Sequence, residues 1–162
     1  MGVAHVLGVE GAEAVLVQCG PVAPMLEPGR LVLLGFGPDQ ATRFEHDIIE
    51  RYGITAIPVD DVAASPEAAA AAALAALPDV VDSVLVHFDV DIVDFVDLPL
   101  SEERIRNRGL TFSQAKRAIG ALVADERFAA LTVTELNPDH GAEDGSTLEI
   151  FVQGLAAAFA RH

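Results

Sequence analysis

Lysine occurs once in the 162 residues, at Lys116, and the 10 basic side chains face 25 acidic ones. A phosphate-binding surface needs clustered cations, so nucleic acid is excluded as a partner class. Cysteine also occurs once, at Cys19. That excludes an intrachain disulfide framework and a cysteine-based zinc site, and accords with a reducing, cytoplasmic compartment. Long apolar runs are missing too: the Ala68–Ala76 segment is short, and Leu74 and Leu77 are the only large side chains there, so it reads as a packed helix and not a membrane span. The start, Met1-Gly2-Val3-Ala4-His5, has neither the basic residues nor the long apolar core of a secretory signal.

What is present is apolar and strongly acidic, 51% hydrophobic with a formal charge of -15. One domain spanning residues 1–162 is expected, with ample material for a core. An acidic surface favours cations over anions, although much of such charge serves solubility. Gly2 to Gly20 allows a short helix carrying Val3, Val6 and Leu7. Arg30–Gly37 reads as a buried strand closed by glycines, Thr42–Tyr52 as a helix stopped by Gly53, and Ile54–Val59 as a short strand. Ser65-Pro66-Glu67 starts a helix with Ser as cap, and Pro78 ends it. Thr111 and Gln114 form a capping box for a helix with Ala115, Ala118, Ile119, Leu122 and Val123 on its apolar stripe. Phe128–Val133 is the next strand, and the apolar positions of Leu148 to Phe159 recur at helical spacing. Alternating strands and helices predict an α/β fold of three layers, a mainly parallel sheet flanked by helices.

Chemistry concentrates at Val84-Leu85-Val86-His87-Phe88-Asp89-Val90-Asp91. If the strand runs through Asp91, alternation puts Asp89 and Asp91 on one face, roughly 7 Å apart at their Cα atoms. Two carboxylates that close call for a hard divalent cation between them or for one retained proton; alternatively they cap a turn. His87 shares that face, either as a ligand or as a hydrogen-bonded core histidine. A second strand ends in polar residues at Thr134-Glu135-Leu136-Asn137-Pro138-Asp139-His140, with His140 in an exposed loop. The charged stretch Glu102–Arg108 is a candidate lid or rim, because ligands bind at the carboxyl ends of parallel strands. Asp94 is expected to shape its loop.

Taken together, His87-Phe88-Asp89-Val90-Asp91 continued by Ile92-Val93-Asp94, Gly109-Leu110-Thr111-Phe112, and Glu135-Leu136-Asn137-Pro138 resemble the C-terminal half of the arginase/agmatinase/formiminoglutamase family, the ureohydrolases. The resemblance implies a two-manganese centre with Asp89 bridging the metals and Asp91 holding one of them, and a Glu135 carboxylate against a substrate guanidinium. It implies Mn²⁺-dependent hydrolysis of a guanidino or amidino C–N bond, and it assigns His87 no metal.

Two motifs that supply the family's other four ligands, Gly-Gly-Asp-His and Asp-x-His-x-Asp, do not occur in the sequence. The chain is therefore expected to be the C-terminal part of such a domain, lacking early strands, inactive by itself, and prone to homo-oligomerise through what those strands leave uncovered. The loop Gly37-Pro38-Asp39-Gln40 replaces the Arg-Asp-x-Asp of arginases, so a modified guanidino compound such as an N-hydroxylated arginine fits as readily as arginine. Two rival readings remain: a non-catalytic structural or regulatory relative, and a haloacid-dehalogenase-like phosphatase, whose D-x-D-x-[TV] pattern Asp89–Val93 also meets.

Overall fold

The computed structural model describes residues 2–160. Two short helices come first, α1 (Gly2–Val6) and α2 (Ala14–Val17). Strand β1 (Val32–Phe36) follows, then α3 (Arg43–Tyr52), entered through a Thr42–Glu45 capping box and closed by Gly53 in the left-handed region at φ 61°. Strand β2 (Thr55–Pro58) runs directly into α4 (Val59–Ala64), a helix the sequence pattern does not reveal because strand and helix abut without a turn signal. Ser65 stands at the start of α5 (Pro66–Ala75), but its side chain makes no capping bond; Pro66 alone marks the start.

Strand β3 (Val84–Asp89) is followed by a long connection to α6 (Phe112–Val123), whose predicted Thr111–Gln114 capping box is present. Strand β4 (Phe128–Thr134) and α7 (Ser146–Phe159) complete the chain. Both strand pairs are parallel, as the crossover pattern predicts, but they form two sheets of two strands each, β1-β2 and β3-β4.

The first sheet lies between two helical layers. Leu33 faces Leu7, Val9, Ile48, Ile49 and Tyr52, from the N-terminal segment and α3. Leu34 and Ile57 face the principal core, together with Val59, Val62 and Ala63 of α4. The second sheet has one covered face: Val84 and Phe88 are buried, and Phe88 and Phe112 stack on Phe151 of α7 at ring distances of 6.3 and 5.5 Å.

A single helical layer underlies both sheets. Helix α5 packs on β1 and on α6, and its buried contact residues are small, Ala69, Ala70 and Ala73. An Arg117–Glu67 pair at 2.6 Å ties α6 to α5 on the surface, where it adds little stability. Among the described residues no helix is long and apolar enough to cross a membrane.

Candidate functional site

Strand β3 is shorter at its carboxyl end than alternation through Asp91 implies. It stops at Asp89, and Val90–Ile92 is a 3₁₀ turn capped by the Asp89 carboxylate, which accepts from Asp91 N at 3.0 Å. The turn-cap reading of Asp89 is thus part of the geometry. The turn replaces the simple one-face arrangement, and Asp91 reaches the site from a loop. Its carboxylate accepts from Glu103 N at 3.0 Å, so one oxygen is fixed by the connection to α6.

Asp89 closes β3, Asp91 lies in the turn after it, and Glu135 directly follows β4 beside it. Burial raises the pKa of Asp91; the Glu103 N–H opposes this, while the negative charges of Asp89, Glu135 and Glu103 push it further up. Glu135 follows β4, the strand beside β3, and takes φ 55°, a left-handed conformation that is strained for this residue by about 1–3 kcal/mol. The strain is held by an antiparallel clip. Ser101 pairs with Leu136, Glu102 N donates to Glu135 O at 2.8 Å, and Asn137 N donates to Leu100 O at 2.7 Å.

That clip is why the connection after β3 forms the rim of the site. Asn137 Nδ2 donates to Glu102 Oε2 at 2.6 Å, and Ser101 is fully buried. His140 is part of the same construction and is not merely an exposed loop residue. Its Nδ1–H donates to Ser101 O at 2.8 Å, so Nε2 presents a lone pair, which accepts from Arg104 Nη2 at 2.9 Å. No spacing in the sequence signals this. It depends on two loops that meet only after the strands have paired.

Asp94 shapes the loop, as expected, through more bonds than a local turn needs. One oxygen accepts from Val96 N at 2.9 Å and the other from Arg108 N at 3.0 Å and Gly109 N at 3.4 Å. Burial by itself raises its pKa, and these backbone N–H groups outweigh that and hold the carboxyl below its ordinary range. Gly109 is required there: a Cβ would fall 2.5 Å from Asp94 N and 2.7 Å from Ile92 O. Asp97, unremarked in the sequence, accepts from Phe112 N at 2.7 Å at the start of α6.

His87 is hydrogen-bonded, but it is exposed and not in the core. Its two ring nitrogens lie 2.9 and 3.1 Å from the hydroxyls of Thr132 and Thr134 on β4. Its face, shared with Leu85 and Asp89, is the uncovered face of the second sheet. His5 lies in α1.

A carboxylate cluster of this kind can hold a hard cation or grip a planar one by bidentate hydrogen bonds. As a resident metal site the donor set is partial: among the described residues no three His, Cys, Asp or Glu side chains are arranged to hold an ion. Asp89 and Asp91 do not by themselves make a metal cage.

Half of a three-layer α/β fold with carboxylates gathered at adjacent strand ends defines the class. The model of the arginase family matches residues 12–160, and the chain belongs to that family. Among solved structures it is similar to the arginase of Bacillus caldovelox, at 22% identity and a TM-score of 0.85 over 99% of this chain and 52% of that one. The arginase of Helicobacter pylori matches at 22% identity and a TM-score of 0.76, covering 97% of this chain and 56% of that one. Trypanosoma cruzi formiminoglutamase, solved with Mn²⁺, matches at 16% identity and a TM-score of 0.69, over 83% of this chain and 46% of that one. Among curated proteins none matches. The chain spans about half the length of the solved relatives it resembles. Family membership displaces the phosphatase reading of Asp89–Val93.

Proposed function

We infer that the whole protein is a manganese-dependent hydrolase of a guanidino or amidino C–N bond, with residues 1–162 forming the C-terminal part of its domain. Asp89 and Asp91 are metal ligands in this reading, and Glu135 receives the substrate cation. The observation that carries it is the placement of Asp89, Asp91 and Glu135 at two adjacent strand ends, with backbone N–H groups fixing one oxygen each of Asp89 and Asp91 and the main chain of Glu135 clipped to Glu102.

Asp89 and Asp91 would hold part of a manganese centre, and that metal would supply an activated water near neutral pH. The chain's own residues do the rest. Glu135, set by its left-handed backbone and the clip to Glu102, presents an anion to the flat cation and fixes its approach. Asp91 is oriented by the Glu103 N–H, and Asp89 by the turn it caps. By itself the chain is inactive, because two carboxylates are too few for a tight site. A cytoplasmic homo-oligomer is the expected form. The partial donor set equally favours a second reading, a non-catalytic partner of a full-length relative, in which the carboxylates are vestigial.

The test is a fusion of the N-terminal half of the Bacillus caldovelox arginase, up to the start of its match, to residues 1–162. Urea release from arginine or N-hydroxyarginine in Mn²⁺, abolished by Asp91→Asn, is the expected result. Wild-type turnover in the Asp91→Asn fusion would remove the metal assignment, and a folded, manganese-loaded but inert fusion would favour the non-catalytic reading.

A further inference from the structure

Of the chain's ten basic side chains, three stand within five residues, at Arg104, Arg106 and Arg108. All three are exposed, and among the described residues none forms an ion pair, although Glu102 and Glu103 directly precede them. The Glu102 carboxylate is engaged elsewhere, accepting from Asn137 Nδ2 at 2.6 Å. In a chain with a formal charge of -15, cations left without a carboxylate call for an explanation.

The first two are held in place. The guanidinium carbons of Arg104 and Arg106 lie 6.0 and 5.7 Å from the centre of the Phe95 ring, within cation–π reach. The His140 ring meets the same phenyl ring edge-on at 5.7 Å, and its Nε2 accepts from Arg104 Nη2. The main chain closes the arrangement, with Phe95 N donating to Ile105 O at 3.1 Å between the two arginines. Two like charges are thereby fixed around one ring, no farther apart than the two ring distances combined. An anion that bridges them relieves their repulsion, and a carboxylate matches the fork of N–H groups that a guanidinium presents.

Position gives the anion its identity. Glu103 N donates to Asp91 Oδ1 and Glu102 N to Glu135 O, so the cationic stretch begins one residue beyond the bonds that fix the carboxylate site. From the 3.0 Å bond and ordinary backbone spacing, the Arg104 Cα lies within about 8 Å of that Asp91 oxygen. An anion held here and a planar cation held by Glu135 can be the two ends of one small molecule. We propose that Arg104 and Arg106, seated on Phe95, form a subsite for the carboxylate tail of the substrate, so that guanidino or amidino carboxylic acids are preferred over guanidino amines. The inference rests on the reading of Glu135 as the receiver of the substrate cation.

The test follows the 162-residue chain by NMR in buffer free of metal, phosphate and carboxylate, reading the arginine Nε–H signals and the backbone amides of Asp91 and Glu135. The probes are γ-guanidinobutyrate, agmatine, which carries the same head with an ammonium tail, and butyrate, the tail alone. γ-Guanidinobutyrate is expected to shift the Arg104 and Arg106 signals saturably, together with the Asp91 and Glu135 amides, and agmatine the amides only. Arg106 is the cleaner residue to change, because Arg104 also bonds His140. Arg106→Gln should weaken γ-guanidinobutyrate by about tenfold, the worth of one charge-assisted bond, and should not weaken agmatine. Arg43→Gln, an equal loss of charge on α3, should alter neither. γ-Guanidinobutyrate shifting the amides without the arginines overturns the proposal and keeps the Glu135 reading. Butyrate binding the arginines as tightly as γ-guanidinobutyrate does, with no response to Glu135→Gln, overturns it too, since the arginines then take any anion. So do arginine signals that move with protein concentration alone, a second copy being the occupant. If neither set moves up to about 20 mM ligand, the proposal fails, and the Glu135 reading stands or falls by the fusion described above.

Discussion

Replacing Asp94 by Asn removes one charge and one oxygen from the residue that organises the connection between β3 and α6. The carboxylate is buried and accepts from Val96 N on one oxygen and from Arg108 N and Gly109 N on the other. An amide can keep only one of these sides; its NH₂ then confronts the N–H of the other. Losing a hydrogen bond to a charged acceptor costs about 1.5–3 kcal/mol, and a buried N–H without a partner adds to it, so Asp94→Asn should destabilise the chain by about 2–4 kcal/mol. For a domain of this size that lowers the melting temperature by roughly 5–15 °C. Urea denaturation of both proteins at pH 7, with the slope of the transition unchanged, measures it directly. Acid supplies an independent check. Because the folded pKa of Asp94 lies below its ordinary value, its contribution is complete above that ordinary value and fades as pH falls through the folded one. The gap between wild type and Asp94→Asn should therefore be widest near neutrality and close toward pH 3. A loss below about 0.5 kcal/mol, or a gap independent of pH, would refute the account of this loop, since surface changes such as Asp82→Asn already produce that much.

Two other expectations concern the site itself. In the arginase fusion, Glu135→Gln should raise KM for the guanidino substrate with metal content intact by elemental analysis; loss of manganese would contradict the role given to Glu135. In the isolated chain, calorimetry should show no saturable Mn²⁺ uptake tighter than about 100 μM, because hard cations need about six donors and a preorganised cage. Tight stoichiometric binding would mean that further ligands exist among these residues.

The alternation of strands and helices, the α6 capping box and the polar strand ends were legible because each rests on local spacing. Asp89, Asp91 and Glu135 stand out as candidates for the same reason: strand ends that turn abruptly from apolar to acidic draw notice in any reading. The turn at Val90–Ile92 was not legible, since a strand can stop two residues early without any change in composition. Nor were Ser101, Asn137, Asp97 and His140, whose roles arise only where the two connections meet. The division into two sheets was equally hidden. A strand as apolar as β1 is written for burial on both faces, and nothing in its own residues says how many strands lie beside it.

The alanines of α5 carry a consequence beyond helix propensity. Ala69, Ala70 and Ala73 are buried in the layer that spans both sheets. With no side-chain torsion to adjust, each acts as a fixed spacer, so the approach of α5 to its neighbours is set by the thickness of a methyl group. Such a gauge leaves little tolerance: an Ala70→Val change, at a fully buried position, would push α5 off its neighbours by a fraction of an ångström. Precision at the carboxylate cluster thus begins about one layer below it, in the least eventful stretch of the sequence.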